Sequence, residues 1–219
     1  IRLLGNTTLN TTGAGAGGNL NLDGAITGAG ANDTLTLNAG TGANALITSA
    51  ESITGITTLT ITNSGGATFD KAVNTSVSVV LTDTDAGDDI IFGNANGGDL
   101  TTVTLTVAAQ DFDIAILEDA TITQATSFDN TGTLTLGSAT QTGGGAADEL
   151  TFTGGLVATD QSNTATSIQL AGTIATTNTA MQLGDSDTGI RLLDNTTLDT
   201  ANGALNLDGA ISGAGDNDS

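Results

Sequence analysis

The sequence predicts an all-β chain that winds as a parallel β-solenoid, and three observations predict it. Short segments alternate polar and apolar residues, a strand motif that ends in Gly recurs, and the opening of the chain returns near its end. Period-two alternation is typical of strands, because successive side chains point to opposite faces. Recurrence over a long period is typical of arrays in which each unit stacks on the next.

The repeat begins at the first residue of the sequence. Ile1–Leu9 returns as Ile190–Leu198 with one substitution, and Leu20–Ile26 returns unchanged as Leu205–Ile211. The first segment recurs at a slightly longer offset than the second, so the later copy is a little shorter between the two segments.

This repeat sets the predicted domain organisation. We expect residues 1–189 to form one long repeat unit of a continuous solenoid and residues 190–219 to start the next copy. The chain is then expected to be a window on a longer array, in which each rung contacts its neighbours.

The individual strands are predicted from Thr alternating with Leu, Val or Ile, because these residues suit a pleated surface. Four segments show this alternation: Thr34–Leu37, Thr58–Thr62, Thr102–Val107 and Thr133–Leu136. Helical spacing is not sustained, and even the best helical candidate, Val107–Ala120, alternates at Phe112, Ile114 and Ile116. We therefore predict strand structure there too.

The corners are predicted from the pattern apolar-x-apolar-x-Gly-x-apolar. It occurs at Leu20–Ile26, Leu150–Leu156, Ile168–Ile174 and Leu205–Ile211. We expect Gly at each corner to adopt positive φ, where a side chain would clash. The spacing of successive motifs, from Leu150 to Ile168, predicts rungs of about 18–22 residues with Asn and Thr ladders between them.

A β-sandwich is the structural alternative, since about seven alternating strands with turns every 8–12 residues would also satisfy the pattern. The chain has only five Phe and no Trp or Tyr, which provides few aromatic groups for a sandwich core. It has no Pro with which to build linkers between bead-like domains. These two observations favour the solenoid.

Charge excludes several classes of partner. Formal net charge is −21, from 24 acidic and 3 basic residues, and the cations are Arg2, Lys71 and Arg191. Because phosphate contacts need Lys and Arg, we expect no nucleic-acid binding, and an anionic membrane surface would repel the chain. No apolar run is long enough to insert into a bilayer. The absence of Cys is compatible with a secreted repeat protein without disulfides.

The Leu-x-Leu-x-Gly rungs, the Gly-Ala-Gly and Asn-rich corners, and the lack of Cys, Trp and Tyr carry a family resemblance. Together they resemble the repetitive passenger regions of large bacterial surface proteins, namely filamentous-haemagglutinin-like exoproteins and autotransporter adhesins. The resemblance covers the whole chain. It implies a right-handed parallel β-helix, export to the bacterial cell surface and a role as stalk, adhesin or filament. The chain departs from the regular short repeats of those exoproteins, because its rungs are irregular within a long period.

Calcium is the one cofactor that the sequence suggests. Three segments partly match the Gly-Gly-x-Gly-x-Asp repeat that binds Ca²⁺ between turns, and they hold Asp33, Asp89 and Asp148. None continues into a second repeat in register, so a solvated acidic turn is the competing interpretation. The remaining metal candidates cluster with Asp89 and are Asp83, Asp85 and Asp88.

We expect no catalysis, because the chain has no His and no Tyr and few cations to stabilise developing charge. Thr-x-Thr pairs such as Thr58/Thr60 and Thr133/Thr135 could in principle build the flat Thr surface of an ice-binding solenoid. We predict that they lie on rungs far apart and simply face solvent.

The expected function is therefore architectural: a structural repeat segment of a giant extracellular β-solenoid that forms a surface filament, sheath or adhesive stalk. Its expected partners are copies of itself, by stacking or bundling, and host or cell-surface glycan. The alternative is a calcium-stiffened adhesin module that binds glycan or another cell. In either case, open strand edges should make an isolated fragment self-associate.

Overall fold

The computed structural model describes residues 1–13, 17–30, 32–82, 89–94, 97–139, 147–161 and 167–214. These residues form twenty-three strands and contain no helix, and the strands stack as a β-solenoid of about eight turns. Every pairing between two of these strands is parallel. The predicted solenoid is confirmed and the β-sandwich alternative is wrong, since a sandwich needs antiparallel sheets.

Each turn has three faces, which we number in the order in which the chain visits them. Face 1 contains β1 (Arg2–Leu3), β4 (Ile26–Gly28), the start of β7 (Ile53–Asn63), the start of β9 (Val73–Leu81), β11 (Leu100–Thr102), β14 (Ala120–Ile122), β17 (Glu149–Phe152), the end of β19 (Ile168–Thr176) and the end of β21 (Ile190–Asp199).

Face 2 follows face 1 in every turn. It contains β2 (Thr7–Asn10), β5 (Thr34–Asn38), the ends of β7 and β9, β12 (Thr104–Val107), β15 (Thr126–Ser127), β18 (Leu156–Ala158), β20 (Met181–Leu183) and β22 (Leu205–Leu207). Its ladder is interrupted between β12 and β15, so the last four strands form a separate sheet.

Face 3 completes the turn. It contains β3 (Leu20–Leu22), β6 (Ile47–Ser49), β8 (Ala67–Phe69), β10 (Asp89–Phe92), β13 (Asp113–Ile116), β16 (Leu134–Leu136), the starts of β19 and β21, and β23 (Ile211–Gly213). The segment predicted as strand over 107–120 accordingly holds strand residues on all three faces, separated by corners.

Turn length varies more than the sequence predicts. On face 3, Ile114 pairs with Leu134 and Leu134 pairs with Ile168, so the second of these turns is much longer than the first. The predicted rung length is wrong because Leu150 lies on face 1 and pairs with Ile174, not with Ile168. The strands of the longer turn nevertheless keep their parallel pairing with the strands of the neighbouring turns.

The interior is a single apolar column. Inward side chains alternate with outward ones along each strand, as in β5, where Leu35 and Leu37 are fully buried. All five Phe side chains are buried, and Phe69 stacks on Phe92 with 5.2 Å between ring centroids. Phe69 and Phe92 occupy paired positions of adjacent windings, so the parallel register stacks their rings directly.

Polar ladders also connect the windings, as predicted. Asn202 donates to the Asn178 side chain at 2.8 Å, and Thr48 donates to Asn21 at 3.0 Å. Inside the core, the hydroxyls of Thr75 and Thr102 lie 2.8 Å apart. These two buried hydroxyls are therefore partners of each other, which removes most of the cost of burying them.

The corner glycines serve different purposes. Of the four motif glycines, Gly172 has positive φ, at 75°. Gly154 and Gly209 lack positive φ, but a Cβ there would meet backbone atoms at 2.2 and 2.0 Å. Gly24 has open space around it. The prediction of positive φ at every corner is thus wrong for three of the four, and close approach of the preceding winding is the commoner reason for Gly.

The two repeat copies lie on different faces. Arg2–Leu3 lies on face 1, whereas the equivalent Arg191–Leu192 lies on face 3. Leu20–Leu22 lies on face 3, whereas Leu205–Leu207 lies on face 2. The second copy of each segment therefore lies one face earlier in the turn than the first copy. One repeat unit is one face short of a whole number of turns, and identical segments face different directions from the axis.

Candidate interaction surfaces

The acidic residues collect at two of the three corners. The first acidic ridge follows face 3 and precedes face 1, with at least one carboxylate in most windings. Its members are Asp23, Glu51, Asp70, Asp99, Glu118, Asp119, Asp148, Glu149 and Asp194. The strands themselves hold few charges, because outward strand positions are mostly Thr, Asn, Gln and Ala.

The second acidic ridge follows face 2 and precedes face 3. Its described members are Asp89, Asp111, Asp113, Asp129, Asp160, Asp185, Asp187 and Asp208. Face 3 is consequently bordered by carboxylates on both sides. In the described part of the chain, the corner between faces 1 and 2 has few acidic residues, namely Asp33 and, at the end of β21, Asp199.

Glu118 lies where the first acidic ridge is most crowded. Burial raises the pKa of Glu118, the charges of Asp148, Asp119 and Asp99 raise it further, and Lys71 lowers it. Contact with the backbone also fixes neighbouring carboxylates, since the Glu149 amide donates to Asp119 Oδ1 at 2.8 Å. The ridge therefore stores repulsion between carboxylates that belong to successive windings.

Asp148, a predicted calcium ligand, is largely buried and has a structural partner. Its Oδ2 accepts a hydrogen bond from the Ser138 amide at 2.9 Å, and its carbonyl accepts one from the Thr173 amide at 2.8 Å. Burial raises the pKa of Asp148, the Ser138 hydrogen bond lowers it, and Asp119 raises it. This carboxylate is therefore held by the Ser138 amide and lies on the same ridge as Glu118.

Asp33, another predicted ligand, closes a corner. Its Oδ2 accepts hydrogen bonds from the amides of Ala29 and Gly30, the latter at 2.7 Å. Its carbonyl accepts from both the amide and the hydroxyl of Thr57 in the next winding, at 2.8 and 2.9 Å. The side chain is 5% exposed, so its local role is that of a turn cap.

The other predicted metal residues are not brought together by described geometry. Asp89 is the exposed first residue of β10 on face 3, whereas Asp33 lies two windings away at the corner between faces 1 and 2. Asp83, Asp85 and Asp88 lie outside the described residues. Among the residues that the structure does describe, no three His, Cys, Asp or Glu side chains form a group that could hold a metal ion.

Face 2 carries a polar grid that the sequence pattern does not reveal. Thr34 pairs with Thr58, and Thr36 pairs with Thr60, so these side chains form two columns, or files, parallel to the axis. Two turns further along, Thr104 and Thr106 continue the same two files. The intervening winding supplies Ser78 and Val80. The pattern alone does not associate Thr58/Thr60 with Thr34/Thr36, because recognising consecutive windings requires the pairing register.

The ridge residues were equally hard to see in the sequence. The signal that the sequence does contain is a carboxylate soon after the last buried apolar residue of a face-3 strand, as in Leu22-Asp23 and Phe69-Asp70. Without the register of windings, these acids are scattered through the sequence rather than aligned.

Comparison with known proteins gives no relative from which to transfer a site. No protein-family model matches the chain, and neither a curated protein nor a solved structure is significantly similar to it. Within the described ranges, there is no helix long and apolar enough to cross a bilayer. The fold and its surfaces are therefore the basis for any statement about function.

Proposed function

We propose that this chain is a structural segment of an extracellular β-solenoid protein that forms a surface filament, sheath or adhesive stalk. It would then resemble the passenger regions of filamentous-haemagglutinin-like exoproteins and autotransporter adhesins. The observation that carries the proposal is the continuous winding: the described turns follow one another around one apolar column, and the strand ladder has a single break, on face 2 between β12 and β15. At a strand spacing of about 4.8 Å, about eight turns extend the chain by roughly 38 Å.

The surface chemistry supports an extending role on a cell exterior. Two acidic ridges along the rod keep it hydrated and disfavour side-by-side collapse at low ionic strength. The same ridges oppose nucleic acid and anionic membrane. Glycan of a host or neighbouring cell is the proposed external partner, and its hydroxyls would meet the Thr and Ser hydroxyls of the face 2 grid by hydrogen bonding.

The second candidate function is a calcium-stiffened adhesin module. No three described carboxylates are grouped closely enough to hold an ion, so this candidate rests on the two acidic ridges as a whole, whose charge a divalent cation would screen. Melting of the chain with millimolar Ca²⁺ and with chelator separates the two candidates. If chelator leaves the melting temperature unchanged, the calcium-stiffened module is excluded. If Ca²⁺ raises the melting temperature by several degrees, that module is supported.

The proposed location is tested on the source cells. Antibodies raised against the purified chain should label intact cells, and external protease should remove that label. Labelling that requires permeabilised cells would contradict an extracellular role.

A further inference from the structure

Two hollows lie side by side on the outer surface of face 3. The first has a volume of about 270 Å³ and lies over β10, β13, β16 and the start of β19. The second has a volume of about 220 Å³ and lies over β6, β8 and β10. Asp89 and Ile91 line both hollows, so the two form one groove along the rod axis. Described windings continue the rod on both sides of this groove, as β3 and β21 show.

The floor of the groove is uncharged and partly apolar. The outward file of face 3 runs, in order, through Thr48, Thr68, Ile91, Ala115, Thr135 and Gln169. Ala115 has the smallest side chain of this file and lies between Ile91 and Thr135. The surface is therefore lower at Ala115 than at either neighbour. A concave floor with apolar groups and a few polar ones is typical of sites for small ligands.

Two carboxylates line the edge of the first hollow. Asp89 and Asp113 are paired in the parallel register, so their Cα atoms are one strand spacing apart, about 4.8 Å. Both residues occupy outward strand positions. The Thr133 amide donates to Asp113 Oδ1 at 2.5 Å, which fixes this carboxylate at the edge of the hollow. Two like charges at this spacing favour a ligand that places a positive charge between them.

The surroundings of the groove strengthen this preference for a cation. The two acidic ridges border face 3, and none of the described residues that line the two hollows is Lys or Arg. Sulfated or carboxylated glycans are therefore repelled, whereas an ammonium group is attracted. The apolar floor adds a requirement for shape, because the C–H face of a sugar ring covers Ile91 and Ala115 better than a flexible amine does.

We propose that this groove binds an amino-sugar glycan, which is a chain of hexosamine rings with free amino groups. One ring packs on Ile91 and Ala115. Its ammonium donates hydrogen bonds to the carboxylates of Asp89 and Asp113. The next ring occupies the second hollow, where the Thr68 hydroxyl is a hydrogen-bonding partner. This inference rests on the proposed glycan partner and names its chemical class, and its site is separate from the hydroxyl grid of face 2.

Titration calorimetry at low ionic strength and about pH 6 tests the class of ligand. The probes are a glucosamine trisaccharide, its fully N-acetylated counterpart and trilysine. The glucosamine trisaccharide should bind, and N-acetylation should weaken binding by about 10-fold or more, because it removes the charge that the carboxylates contact. Trilysine carries a similar charge without the rings, so it should bind more weakly than the glucosamine trisaccharide.

Matched variants test the location of the site. Asp113→Asn keeps an acceptor for the Thr133 amide and should weaken binding by about 10-fold. Asp111→Asn removes the same charge from the same ridge but outside the hollows, and it should change the affinity by less than about 2-fold. Ala115→Leu fills the floor without a change of charge and should weaken binding at least as much as Asp113→Asn does. Ala175→Leu, at an outward position of face 1, is its control.

Thermal melting verifies that each variant remains folded. The proposal is overturned if the glucosamine trisaccharide does not bind, or if its N-acetylated counterpart or trilysine binds as tightly. Equal effects of Asp113→Asn and Asp111→Asn would reveal a general attraction to the acidic rod and would refute the groove, as would undiminished binding by Ala115→Leu. None of these results depends on cellular location or calcium, so failure here is distinguishable from failure of the proposed function.

Discussion

Phe69 and Phe92 stack inside the rod with ring centroids 5.2 Å apart and ring planes 10° apart. They occupy paired positions of β8 and β10, so the stack is a direct consequence of parallel register. Truncation of either ring would leave a cavity between two windings whose backbones are held by the ladder. Phe92→Ala should therefore lower the free energy of unfolding by about 3–5 kcal/mol, as measured by urea denaturation.

The matched control for Phe92 is Val77→Ala, which removes apolar atoms from an exposed position. It should change the free energy of unfolding by less than about 0.5 kcal/mol. Equal losses for the two variants would contradict the described core.

Gly172 and Gly24 offer a comparison within one motif. Gly172 has φ of 75°, and a Cβ there would lie 2.6 Å from the Asp148 carbonyl oxygen, whereas Gly24 has negative or extended φ and open space. Gly172→Ala should cost about 2 kcal/mol or more, because backbone strain and a clash act together. Gly24→Ala should be neutral or slightly stabilising. Thermal melting of the two variants tests the difference, and a larger loss at Gly24 would contradict this corner geometry.

The first acidic ridge predicts the pH dependence of stability. The pKa values of Glu118 and Asp148 are raised in the folded state from ordinary values of 4.5 and 3.8. The folded state then binds more protons than the unfolded state just above these values. Stability from these groups is fully present below the ordinary pKa values and is lost as pH rises through the raised ones. The melting temperature should therefore fall as pH rises from about 4.5 toward neutrality.

Glu118→Gln isolates this effect. The neutral side chain removes repulsion from Asp148, Asp119 and Asp99, so the variant should melt higher than the native chain at pH 7 and should show a smaller pH dependence. Glu51→Gln, on the same ridge at another winding, is the control for loss of a carboxylate. A lower melting temperature for Glu118→Gln at pH 7 would contradict the prediction.

Asp185 acts in the opposite direction at the acid end. Hydrogen bonds from the Asp187 and Thr188 amides lower the pKa of Asp185 from its ordinary 3.8. Its contribution is present above that value and is lost as pH falls through the lowered one. Acidification from pH 5 to pH 2.5 removes the stability that Asp185 contributes, so this acidification should lower the melting temperature less in Asp185→Ala than in the native chain. Asp208→Ala, on the same ridge, serves as the control. An equal narrowing in both variants would show that these hydrogen bonds are not responsible.

The sequence predicts the local elements and fails on the register between them. Alternating Thr and Leu identify strands such as Thr34–Asn38 correctly, because a two-residue period needs no long-range information. Leu150 and Ile168 start the same motif, but Leu150 lies on face 1 and Ile168 lies on face 3. The number of residues between them is therefore the length of part of a turn and not of a whole turn. Corner loops vary freely in length, and the sequence therefore cannot reveal which residues stack.

The same limit explains the candidate surfaces. Short motifs predict Asp33 and Asp148 as metal ligands, and in the structure each accepts hydrogen bonds from backbone amides at its own corner. Glu118 gains its significance from Asp99 and Asp148 in neighbouring windings. That relationship exists only after the windings are aligned.

Spin-label distances along one file test the solenoid most directly. The chain has no Cys, so single pairs can be introduced on the outward file of face 3, where Thr48 is followed by Thr68, Ile91, Ala115, Thr135 and Gln169. From Thr48, labels at Ala115, Thr135 and Gln169 are three, four and five turns away, so distances of roughly 14, 19 and 24 Å are expected from the strand spacing. The step from Thr135 to Gln169 spans far more of the sequence than the step from Ala115 to Thr135. If the label distance nevertheless increases by the same amount at both steps, the solenoid is supported. Distances that do not increase in this order would contradict it.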